Sequence, residues 1–162
     1  MKRLLSLLAL AVFSVSAPAA DLSITAANVL ASANARFQDG TAGATLTRGM
    51  LVYADATDGG KIKPADGNVL AAKGVLGMAY GDVAAGQFVR VIIDDPDLTV
   101  GATLSLAAPG GIYVLSATAG GICPVADLAA GSYPIVVLVA KSATKAHFHP
   151  RLLQGSAVLV AP

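Results

Sequence analysis

Two short phrases occur twice in this chain, in the same order, and they restrict its fold more than any other feature. Gly43-Ala44-Thr45-Leu46 returns as Gly101-Ala102-Thr103-Leu104, and Asp82-Val83-Ala84-Ala85-Gly86 returns as Asp127-Leu128-Ala129-Ala130-Gly131. Each first phrase leads towards a short apolar run, Met50-Leu51-Val52-Tyr53 or Ile112-Tyr113-Val114-Leu115. Each second phrase passes one polar residue, Gln87 or Ser132, before an aromatic opens a longer run. Those longer runs are Phe88-Val89-Arg90-Val91-Ile92-Ile93 and Tyr133-Pro134-Ile135-Val136-Val137-Leu138-Val139. A turn followed by a β-rich run, used repeatedly, predicts an all-β protein: a single compact barrel or sandwich built from related halves.

A walk along the chain gives about ten short strands, with turn signals roughly every 8–12 residues. Asp58-Gly59-Gly60 closes an expected hairpin between 51–54 and 61–64, and Asp66-Gly67-Asn68 makes a further turn. Residues 69–73 are rich enough in Leu and Ala to predict one helical turn. Residues 74–80 read as a buried strand whose glycines admit close approach of another backbone. The strand from Phe88 is expected to end at Asp94-Asp95-Pro96-Asp97, and further strands are expected at 103–106, 111–116, 120–125, 133–141 and 157–160.

Three regions follow. Residues 1–20 have the layout of a secretory signal: Lys2-Arg3, a nearly continuous apolar stretch, then Ala17-Pro18-Ala19. The apolar stretch is short for a bilayer span, so the segment reads as a cleaved leader or a retained N-terminal helix. Residues 21–37 alternate polar and apolar and read as an extended arm, with Leu22, Ile24, Val29 and Phe37 as its apolar contacts. Residues 38–162 form the barrel or sandwich domain. At 162 residues the whole is one folded unit, large enough to bury a core without metal or disulfide.

Composition narrows the partners. The chain is 55% hydrophobic and only 13% charged, so part of its surface is expected to be covered by another protein. Net charge is +1, and losing the two positive charges of Lys2 and Arg3 would make it −1. No run of Lys or Arg follows a phosphate backbone, which argues against nucleic-acid binding. The lone Cys123 excludes an intrachain disulfide and reads as a small buried apolar residue.

Candidate chemistry is sparse. His147 and His149 would share one face of a strand and could hold a metal together if a third ligand came from elsewhere. No Cys, Asp or Glu stands within a few residues of them, so the pair reads as an outward-facing strand with Phe148 inward and Pro150 as the stop. Asp94, Asp95 and Asp97 resemble a carboxylate cluster, but Pro96 interrupts it and the chain contains no Glu, so it reads as a solvated turn rather than a calcium loop. Neither a nucleophile elbow nor a phosphate-binding loop is present. The expectation is a non-enzymatic protein with no cofactor, no metal and no catalytic residues.

Beyond these features lies a family likeness. Asp21-Leu22-Ser23-Ile24-Thr25-Ala26-Ala27-Asn28-Val29, Gly40 to Leu46, Gly49-Met50-Leu51-Val52-Tyr53, Gly120-Gly121-Ile122-Cys123-Pro124 and Leu138-Val139-Ala140-Lys141-Ser142-Ala143 form a pattern that resembles small capsid decoration, or cement, proteins of tailed bacteriophages. The resemblance covers residues 21–143. It implies a β-rich domain on the outer surface of the virion, binding the major capsid protein as a homotrimer and tying capsomers together. It transfers no catalytic residue. On this view the arm, through Leu22, Ile24, Val29 and Phe37, would add a strand to a capsid edge. The leader departs from the pattern and points instead to a periplasmic or secreted protein that binds a glycan or another protein. If the leader is cleaved or buried, no membrane contact is expected.

Overall fold

The computed structural model describes residues 20–107, 111–128 and 131–152. All but the last residue of the signal-like leader, and the strand expected at 157–160, therefore lie outside the described residues. The described residues contain ten strands: β1 (Val29–Leu30), β2 (Arg36–Thr41), β3 (Leu51–Asp55), β4 (Lys61–Pro64), β5 (Val75–Ala79), β6 (Phe88–Val100), β7 (Ile112–Leu115), β8 (Ile122–Pro124), β9 (Ile135–Ala140) and β10 (Lys145–Leu152). They form one antiparallel sheet curled into a half-barrel, in the order β4-β3-β5-β6-β10-β9-β7-β8, with β1 and β2 also paired to β6. The protein is all-β; among the described residues, helix is limited to single 3-10 turns such as Ala26–Asn28.

That strand order has a simple logic. Outwards from the β6–β10 pair, the first half runs β5, β3, β4 and the second runs β9, β7, β8. The repeated phrase Gly-Ala-Thr-Leu stands before β3 in one half and before β7 in the other, so it marks equivalent points. The second phrase does not. Its first copy joins β5 to β6, whereas its second follows β8 and leads to β9.

The apolar runs are continuous because the first-half strands bury both faces. Leu51, Met78 and Ile92 enter a large core with Tyr113, Leu115, Leu138 and Phe148. Their chain neighbours Val52, Ala79 and Val91 enter a smaller core with Ala42, Leu46, Ile62 and Val89. Side-chain alternation along each strand thus feeds two cores at once. One parallel bridge between Ala42 and Ile62 brings the chain just after β2 against β4 and closes over the smaller core. Gly77 permits the tight β5–β6 contact as expected: a Cβ there would lie 2.2 Å from the Ile92 carbonyl oxygen.

Several expectations need correction. The strand from Phe88 does not end at the aspartates; β6 runs 13 residues, through Pro96, to Val100. Its first part pairs with β2 and β5, and its last part with β10 and β1. Proline is tolerated where partners change hands, because its missing N–H breaks no ladder there. Pro150 likewise lies inside β10, at a register shift between Phe148 and Arg151 in its pairing with β9. Residues 69–73 form hydrogen-bonded turns, not a helical turn, with Ala72 N–H donating to Val69 at 3.0 Å. Residues 103–106 are not a strand; Leu104 is buried, and the Ser105 N–H donates to the Tyr113 hydroxyl at 2.6 Å. The hairpin of β3 and β4 matches expectation, with Gly59 and Gly60 both at positive φ.

Candidate functional site

Asp94, Asp95 and Asp97 lie where β6 passes from one set of partners to the other, and each serves a different neighbour. Asp95 is fully buried, and the register shift between Asp95 and Leu98 in the pairing with β10 interrupts the alternation, so that Asp97, two residues on, faces outward instead. Its carboxylate accepts from the Ser32 N–H at 2.8 Å, the Ser32 hydroxyl at 2.6 Å and the Asp97 N–H at 2.9 Å. A buried carboxylate is tolerated when it is supplied with donors in this way. Asp97 faces outward between Lys141 and Lys145, whose ammonium groups hold its carboxyl below the usual range. The solvated-turn expectation is therefore replaced by three specific anchors.

Asp94 meets the histidine pair. Phe148 is fully buried and fixes the face of β10, so His147 and His149 on either side of it both point outward. His149 Nδ1 lies 2.9 Å from Asp94 Oδ1, and His147 Nε2 lies 3.7 Å from the same oxygen. The two rings stand 6.1 Å apart, tilted by 53°. The hydrogen bond from His149 holds the Asp94 carboxyl below its ordinary range; burial opposes it, and the charges of His149, His147 and Arg36 add to the lowering. The third group that the sequence lacked near the histidines thus comes from β6, 55 residues from His149. No local spacing signals it; only the pairing of β6 with β10 does so. The trio combines two imidazoles with a carboxylate at the surface.

The arm residues are brought largely to one place. The Leu22 N–H donates to the Ile122 carbonyl at 2.7 Å along β8, and the Thr25 N–H to the Gly101 carbonyl at 2.8 Å. Leu22 and Ile24 are half-buried against the large core, and Val29 lies wholly within it. Phe37 stands apart on β2, 38% exposed, its ring 5.6 Å from that of Tyr80 and beneath the Arg90 guanidinium. In this structure β1 and β2 pair one after the other along β6, from Val100 back to Phe88.

A cleft of about 540 Å³ opens between this segment and the end of β6, lined by Ser23, Thr25, Asn28, Leu30, Thr99 and Thr144 among others. Its lining holds no acid, base or thiol. Cys123 is buried on β8, and burial pushes its thiol up to about 11, away from the thiolate needed for reactivity. No family model and no curated protein matches this chain.

Proposed function

We propose that this chain is a structural, non-enzymatic β protein that decorates the head of a tailed bacteriophage. In this reading it binds the major capsid protein on the outer surface, as a homotrimer, and bridges neighbouring capsomers. The observation that supports it best is the character of the exposed surface. Leu30, Phe37, Val69, Leu70, Phe88, Leu106 and Val139 are large, apolar and outward, in a chain with 13% charged residues. Leu30, Phe37 and Phe88 all lie on β6 or on the strands paired to it. Such a surface gains by being covered, and binding only the mature lattice would stabilise the shell by mass action. The resemblance over residues 21–143 supplies the partner. Three equivalent contacts per trimer would add avidity.

Co-sedimentation of the purified chain with mature shells that lack it tests the reading. Saturable binding, weakened by Leu30→Asp or Phe88→Asp in variants with an unchanged circular dichroism spectrum, is the expected result. No binding to any shell would overturn it. One specific feature favours a second reading, an exported envelope or extracellular β-domain that binds a glycan or protein: the signal-like layout of residues 1–20. Mass spectrometry of the N-terminal peptide separates the two. A chain starting at Met1 in purified particles fits decoration, whereas a chain starting near Asp21 in periplasm or medium fits export.

A further inference from the structure

We propose that Asp94, His147 and His149 bind one divalent transition-metal ion of the Zn²⁺ type at the surface, with solvent completing its coordination. The inference is independent of the decoration reading. Three ligand-type atoms, one from each residue, lie within 4.8 Å of one another. Two ligands each about 2.1 Å from a tetrahedral ion stand about 3.4 Å apart. The observed separations from Asp94 Oδ1, 2.9 Å to His149 and 3.7 Å to His147, bracket that value. Small side-chain rotations would therefore complete the geometry, with the ion replacing the proton shared between His149 and Asp94.

The donor set selects the class of ion. Two imidazole nitrogens and one carboxylate oxygen suit a borderline cation such as Zn²⁺, whereas Ca²⁺ and Mg²⁺ require mostly oxygen. The scaffold is also set in advance. Buried Phe148 forces both histidines onto one face. Asp94 is placed opposite by the β6–β10 pairing, whose register shifts between Ala146 and Phe148. A shift of this kind re-aims side chains at a strand surface. Both imidazoles and the carboxylate are partly exposed, so an ion can enter and keep water ligands. Arg36 pairs with Asp94 in the β2–β6 register and is a nearby cation that moderates the affinity. An ion held there would tie β10 to β6, the pair at which the two halves of the sheet meet.

Isothermal titration of the untagged full chain, stripped with EDTA, against zinc chloride tests the proposal. The expected result is saturable binding at one ion per chain, reversed by EDTA, with magnesium or calcium chloride giving no heat of binding and zinc raising the Tm. His147→Ala removes an exposed ligand without touching the core and is expected to weaken binding at least about tenfold. Asp94→Asn should do the same, its fold checked by circular dichroism. Absence of zinc binding to the wild type overturns the site. So does binding that His147→Ala leaves unchanged, since the ion would then sit elsewhere.

Discussion

The two halves of the sheet repeat one strand order outwards from β6 and β10, yet only one of them encloses a core of its own among the described residues. In the first half, Leu46 and Val83 exchange backbone hydrogen bonds of 2.9 Å in both directions, so the two repeated phrases zip together. Asp82 adds a bond by accepting from the Arg48 N–H at 2.8 Å. In the second half, Leu104 is also buried but its N–H donates to Ala143, at 2.7 Å, in the turn between β9 and β10. The opening glycines differ as well. Gly101 sits at φ +73° with Thr25 and Val29 against it, whereas Gly43 has no positive φ and faces the side chains of Lys61 and Lys63. The same words thus make different contacts in the two halves. What decides their use is the N-terminal segment, which supplies β2 to wrap the first half.

The largest test of this contrast is Phe148→Ala. Phe148 belongs to the core shared by both halves, so its loss is expected to cost about 3–5 kcal/mol and to lower both halves in one transition. Urea denaturation followed by two probes would reveal separate transitions if the halves were independent. Ile62→Ala strikes the smaller core alone, and about 2–4 kcal/mol is expected. Hydrogen exchange should then rise most in β2–β4 and least in β7–β9; a uniform rise would break the distinction between the cores.

The glycine pair gives a sharper, smaller comparison. Gly101→Ala places a side chain at positive φ with its Cβ 2.7 Å from the Thr25 carbonyl oxygen, and about 1–3 kcal/mol is expected. Gly43→Ala keeps an ordinary φ and meets no backbone atom, only Lys63, whose side chain can move, and the Cβ of Lys61 at 3.0 Å, so a smaller loss of about 1 kcal/mol is expected. Equal losses in thermal melts of the two variants would mean that the copies are equivalent after all. A last effect, confined to alkaline pH, concerns Cys123 in the second half. Its thiol is raised to about 11 in the folded state, chiefly by burial, so the folded chain favours the neutral form. The associated stability is full below the ordinary thiol range of about 8.5 and declines as pH climbs from there towards the folded value. Denaturation midpoints of the wild type should fall more steeply across that window than those of Cys123→Ala.

Much of the framework was legible in the sequence because it is local. The Asp58-Gly59-Gly60 turn, the close approach at Gly77 and the inward Phe148 each follow from residues near them. The length of β6 was not legible: Asp94 to Asp97 carry every local mark of a turn, and only β10, β1 and Ser32 make them part of a strand. Burial of Val29 was hidden for the same reason, since alternation shows a strand but not which partner covers it. The meeting of Asp94 with the histidines depends on strand pairing across 55 residues, and no pattern of spacing encodes that.

The 13-residue span of β6 has a consequence in time. Its first partners are made before it during synthesis, as β1, β2 and β5, while β10 emerges only after most of the chain. Until then the later part of β6 presents an unfilled edge, beside a large core that lacks Phe148. Pairings so distant in sequence form slowly, and open edges recruit other chains. The interval between the birth of β6 and the arrival of β10 is therefore when a nascent chain of this protein is most exposed to mispairing, and when a chaperone would have most to do.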